Sequence, residues 1–185
     1  MIGKRLPLIC WDSCVYITYL HPESPKESNN VPWLPHIREL IRMSEAAEIR
    51  IATSQISMIE VTSCMEDDAL EKSFQSVFNG HHHVRYDVDS RVIEKARQLR
   101  SSLLKDDPKI KIAVPDAIHI ATAMVLGAGE FHTFDDGKLD ENKCSLLKLD
   151  GHSLLKGLRI KKPESPQTDL PKLLVASSAQ MPLIA

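Results

Sequence analysis

Four acidic positions carry the chemistry this sequence can offer: Asp12, Glu60, Asp116 and Asp135, with Asp136 beside the last. Each follows a strand-like run or opens a helix-like one. Carboxylates brought together repel one another unless a cation neutralises them, and a hard divalent ion, Mg²⁺ or Mn²⁺, is what oxygen-only donors select. Such an ion retains waters and binds phosphate oxygens, which points to phosphoryl or phosphodiester chemistry. Every one of these acids also has a purely structural explanation. Asp12 or Ser13 can cap the helix that follows, and Ser57-x-x-Glu60 matches a capping box. Asp116 is the acidic residue expected in a helix's first turn, and Asp135-Asp136-Gly137 reads as a turn. His119 lies one turn beyond Asp116 on the same side of its helix. Four acids at the equivalent edge of successive units are a less ready accident than any one of them.

The elements that must position these residues follow from periodicity. Leu6-Pro7-Leu8-Ile9-Cys10-Trp11 is a near-continuous apolar run too short for a buried helix, as expected of an interior strand of a parallel sheet, with Asp12 at its carboxyl end. A helix follows, then a proline-rich loop over 21–35. Residues 36–47 have helical spacing, 48–53 alternate as a strand, and a helix opens at Ser57. Another amphipathic helix covers 67–78, stopped by Asn79-Gly80. The triplet His81-His82-His83 reads as loop, since adjacent residues on a regular element cannot all face one metal. A short strand over 84–88 precedes a long helix over 90–104, whose outer side carries Arg91, Lys95, Arg97 and Arg100. The helix over 117–126 ends at Gly127, 130–134 is a short strand, and 146–149 a last one. Alternating strands and helices give an α/β fold, three layers with a central parallel sheet, over 1–158. The Pro-rich C-terminal tail, 159–185, is expected to be irregular.

Composition narrows the class without naming a function. At 185 residues, 43% hydrophobic and 26% charged, the chain suits one globular domain. A net charge of −2 offers no blanket attraction to nucleic acid, so an RNA partner would have to meet local basic groups such as Arg91, Arg97, Arg100 and Lys138. Cysteines at 10, 14, 64 and 144 form no CxxC pair and read as reduced core residues. No stretch approaches the ~20 apolar residues of a membrane span, and the basic start lacks a secretory core, so a cytoplasmic location without membrane attachment is expected. Neither GxxxxGK[ST] nor GxGxxG occurs, which removes the usual support for nucleotide readings.

The order Ile9-Cys10-Trp11-Asp12-Ser13, Ile59-Glu60-Val61, Pro115-Asp116-Ala117-Ile118-His119-Ile120-Ala121-Thr122-Ala123 and Thr133-Phe134-Asp135 resembles the PIN-domain nucleases, including VapC-type toxins of toxin–antitoxin pairs. The resemblance spans about 6–149. It implies a Mg²⁺- or Mn²⁺-dependent endoribonuclease, commonly a homodimer, with RNA as substrate and a protein antitoxin as inhibitor. It assigns Asp12, Glu60, Asp116 and Asp135 as metal-binding catalytic acids, and Ser13 as the small hydroxyl residue after the first. The chain departs from the family in its proline-rich loop, its tail and the doubled Asp135-Asp136. Two rivals are a PIN-like module that only binds RNA or protein, and a phosphohydrolase of small phosphoesters. Retention of all four acids opposes the first; Asp12-Ser13-Cys14, in place of an Asp-x-Asp pair, opposes the second.

Overall fold

Strand β1 (Leu8–Trp11) is the centre of a five-stranded, wholly parallel sheet. The computed structural model describes residues 6–24, 27–63, 68–78, 83–137 and 144–166. In chain order β1 is followed by α1 (Ser13–Leu20), α2 (Leu34–Glu45), β2 (Arg50–Ser54), α3 (Ser57–Thr62), α4 (Asp68–Val77) and β3 (His83–Tyr86). Then come α5 (Ser90–Asp106), α6 (Val114–Leu126), β4 (Glu130–His132) and β5 (Arg159–Lys161). The strand order is β3-β2-β1-β4-β5.

Strand pleat sorts the core into two halves, because successive side chains point to opposite faces. Ile9, Trp11 and Ile51 join Val15, Tyr16, Ile37, Leu40, Val61 and Phe74 from α1 to α4. Cys10, Ala52 and Phe131 join Val92, Ala96, Leu99, Leu103, Ile120 and Ala121 from α5 and α6. The result is the expected three-layer α/β/α arrangement. With both faces covered, central strands must be apolar throughout, which is why β1 reads as a continuous run.

The differences from expectation are local. The stretch Leu146–Leu149 is a 3₁₀ helix rather than a strand; Leu146 and Leu149 are buried together on one side, a spacing of three that a two-residue pleat cannot supply. Conversely Arg159–Lys161, in the segment expected to be irregular, pairs with β4 as the edge strand, with Ile160 buried between two cationic residues. Beyond it Ser165 is buried, and its N–H donates to His36 Nδ1 at 3.3 Å on α2. The rest of the tail, 167–185, lies outside the described residues, as do Asn79, Gly80, His81 and His82. His83, placed in a loop by its sequence, begins β3; it is buried, with Nε2 3.1 Å from the Tyr16 hydroxyl. Among the described residues no helix is long and apolar enough to cross a membrane, and Cys10, Cys14 and Cys144 are free thiols.

Candidate active site

The carboxyl ends of β1, β2 and β4 lead into the segments that carry Asp12, Glu60 and Asp135, while Asp116 and His119 lie on α6, which follows α5 and not a strand. Asp12 is both cap and site residue, so the two readings of it are compatible. Its Oδ1 accepts the Ser13 N–H at 2.8 Å as the cap of α1, with the Ser13 hydroxyl at 3.4 Å. Its Oδ2 accepts from the Thr133 hydroxyl at 2.7 Å and lies 3.4 Å from Cys14 Sγ. Its own backbone N–H bonds the His132 carbonyl at 3.0 Å, which ties Asp12 to the end of β4. The carboxylate is buried at 7% exposure.

Glu60 does not close a capping box. The residue before α3 is Ile56, without a side-chain cap, and the Ser57 hydroxyl is buried against Thr53 Oγ1 at 2.6 Å. With its cap partner occupied elsewhere, the Glu60 carboxylate turns to His119, Oε2 lying 2.6 Å from Nε2. That nitrogen is also 3.7 Å from Asp12 Oδ1. One ligand atom each from Asp12, Glu60 and His119 therefore lies within 4.8 Å of the others. His119 is 2% exposed, on α6, whose Ala117, Ile120, Ala121 and Ala123 are also buried. Burial alone would lower its pKa, but the Glu60 hydrogen bond and the charges of Asp12, Glu60 and Asp116 together carry it above the ordinary histidine value.

Asp116 is half-buried in the first turn of α6, one turn before His119, and its charge is felt there; it stands outside the three-residue group. Asp135 is also outside that group. Half-buried after β4, it accepts the Gly137 N–H on Oδ1 at 3.1 Å, while its own N–H donates to Thr133 Oγ1 at 3.1 Å. Asp136 is exposed. Thr133 thus touches both Asp12 and Asp135, a junction that its sequence context does not announce; a lone threonine at a strand end has many commoner uses. Cys14 is a second neighbour missed in the sequence. Burial, then the Asp12 charge, raises its pKa well above the thiol range, so it stays a protonated filler beside the site.

The basic face of α5 is largely occupied by its own acids. Arg91 pairs with Asp89 and Arg97 with Glu94, both at 2.7 Å, while Arg100 Nε donates to the Ile112 carbonyl at 3.2 Å. Lys138 lies outside the described residues. A cavity of about 1100 Å³ sits at the opposite edge of the sheet, by the strand starts at Leu8, Arg50 and Glu130, away from the acids.

Two carboxylates and an imidazole at the strand-end edge are a donor set that suits a divalent cation. The family model of the PIN domain matches residues 10–142, most of the chain and every one of these groups. The chain belongs to the PIN domain family. PIN domains are nucleases, and solved structures match this one along nearly their whole length. VapBC2 of Rickettsia felis, bound to a promoter DNA fragment, has a TM-score of 0.53 at 14% identity, covering 84% of this chain and 98% of that one. DNA-bound VapBC of Salmonella typhimurium has a TM-score of 0.53 at 17% identity, with 85% and 98% covered. VapC20 of Mycobacterium tuberculosis, a toxin that cleaves the sarcin-ricin loop, has a TM-score of 0.51 at 13% identity, with 70% and 91% covered. At these identities the likeness is one of fold. No curated protein matches the sequence.

Proposed function

We propose that this PIN domain is a divalent-cation-dependent endoribonuclease, Mg²⁺ or Mn²⁺ serving as cofactor, and the toxin of a toxin–antitoxin pair. The observation that carries the reading is the convergence of Asp12, Glu60 and His119 within 4.8 Å at the strand-end edge of a PIN chain. Asp12 and Glu60 would hold the cation, with Asp116 and Asp135 on its flanks. When bound, the ion supplies the charge that lowers the pKa of water and offsets charge developing on the phosphate. Asp12 is aimed by the hydrogen bonds it accepts from the Ser13 N–H and the Thr133 hydroxyl. Thr133 also accepts the backbone N–H of Asp135, so one hydroxyl links the segments that carry Asp12 and Asp135. Asp116, in the first turn of α6, sits where the helix dipole favours a carboxylate. Cys14 packs against the buried Asp12, whereas Glu60 and Asp116 are half-buried and would offer their oxygens to the substrate.

The pairing of a VapC-like fold with an antitoxin rests on the VapBC complexes among the similar structures, and RNA as substrate on the family and on the toxin that cleaves the sarcin-ricin loop. Purified protein should cut RNA with Mn²⁺ or Mg²⁺ and stop when EDTA is in excess. Cleavage undiminished in chelator overturns the mechanism. Expression in bacteria should arrest growth, and co-expression of a cognate antitoxin should restore it.

A further inference from the structure

We infer that His119 is a direct ligand of the cation through Nε2, so that the site prefers a first-row transition ion, with Mn²⁺ as the probe, over Mg²⁺. The inference rests on the metal-dependent reading above and names the donor that sets its ion preference. Three observations carry it. His119 Nε2 lies between two carboxylates, 2.6 Å from Glu60 and 3.7 Å from Asp12, in the place where a shared cation would meet all three. The ring is rigidly presented: it is 2% exposed on a thirteen-residue helix whose neighbouring positions are packed. Its other nitrogen, Nδ1, is buried with no hydrogen-bond partner among the described residues, so Nε2 is the atom through which the ring engages anything.

An imidazole buried at such a cost in lost solvation needs a return, and an apolar residue of similar shape would fill the space without the cost. A single hydrogen bond to Glu60, itself open to solvent on one side, is a modest return. A bond to a metal is a large one. Imidazole nitrogen is a softer donor than carboxylate oxygen, and first-row transition ions accept it readily. Mg²⁺ is hard, holds its waters and favours oxygen, so it gains less from the same nitrogen. A site of two carboxylates and an imidazole therefore separates the two kinds of ion where a site of carboxylates alone would not.

The test uses the full chain and metal binding, not cleavage. Pulsed EPR on the Mn²⁺-loaded protein reads nitrogen coupled to the ion, and labelling with ¹⁵N-histidine identifies its source. A ¹⁴N coupling that changes on labelling and disappears in His119→Asn is expected. Calorimetric titration should show His119→Asn losing Mn²⁺ affinity by about tenfold or more, the range in which even supporting groups act, while Mg²⁺ affinity changes far less. No histidine coupling in the loaded wild-type protein overturns the proposal, whether or not the variant folds. Equal loss of both ions in a folded His119→Asn also overturns it, since that pattern belongs to a residue that only steadies Glu60. Wild-type protein that binds neither ion, with Asp12→Asn behaving identically, sinks the nuclease reading itself.

Discussion

Asp12 shows how a capping residue and a ligand can be one side chain. Asp12→Asn keeps an oxygen for the Ser13 N–H and leaves Thr133 able to turn its hydroxyl from donor to acceptor, so the melt of the ion-free protein should shift by no more than about 1 kcal/mol in stability. RNA cleavage should fall by orders of magnitude, because the site loses a charged oxygen. A variant with near wild-type cleavage sinks the proposed site. Asp136→Asn, at an exposed position, should stay within about 0.5 kcal/mol and keep activity. Buried histidines give a separate, pH-dependent signature. Burial drives the His83 pKa down from 6.5 to about 4. Between these values the unfolded chain binds the proton and the folded chain does not, so stability is full above about pH 6.5 and declines as pH falls toward 4. The single-site loss approaches about 3 kcal/mol. His132, lowered chiefly by burial, adds to the decline, whereas His119, raised despite its burial by the surrounding carboxylates, opposes it. Histidine ring signals followed by NMR against pH, beside thermal melts, check this; a His83 ring that titrates near 6.5 overturns it.

At the scale of elements, the loop after β4 depends on Gly137. Its φ is +76°, and a Cβ there would lie 2.5 Å from Ser145 Cβ, whose own hydroxyl donates to the Asp135 carbonyl at 2.7 Å. Gly127, at the end of α6, has φ +67° but open space around a Cβ. Both Gly→Ala changes therefore cost about 1–2 kcal/mol for the left-handed backbone, and Gly137→Ala adds an overlap that must displace Ser145. Its melting temperature should fall further than that of Gly127→Ala, and equal falls would show that this packing does not hold the loop. The same contrast explains what was legible in the sequence. β1 and β2, the amphipathic helices α2 and α5 and the Pro-Asp opening of α6 carry periodicity or cap chemistry strong enough to survive tertiary context. β5 could not be read because three residues with one apolar side chain have no pattern, and its pairing depends on β4 from far along the chain. Glu60 was half legible: its helix followed from the sequence, but the Ser57 hydroxyl expected to cap it meets Thr53, four residues earlier on β2, and Glu60 meets His119 instead. His119 was visible as a residue on the right side of α6, yet its approach to Glu60 is set by the packing of α6 across the sheet end.

For the whole molecule, the question is where the folded unit ends. A boundary after Leu158 would remove β5, leave β4 as the edge, uncover Phe131 and break the bond from the Thr133 N–H to the Lys161 carbonyl at 3.0 Å, directly beside the residue that steadies Asp12. It would also strip Asp150 of Arg159 and of the Ile160 N–H, at 2.7 and 2.8 Å. Residues just past β5 contribute too: Ser165 meets His36, and Lys162 lies over the Trp33 ring at 5.7 Å, joining the sheet edge to α2. The folded unit is therefore expected to run through Pro166. A chain cut after Pro166 should melt cooperatively within a few degrees of the full chain and retain Mn²⁺ binding. One cut after Leu158 should be insoluble or lose more than about 10 °C, since each kcal/mol is worth roughly 2–4 °C at this size, and its ion affinity should fall with the Thr133 anchor. Equal melting of the two truncated chains would remove β5 from the account of the site, and an unfolded chain cut after Pro166 would extend the domain to residues beyond it.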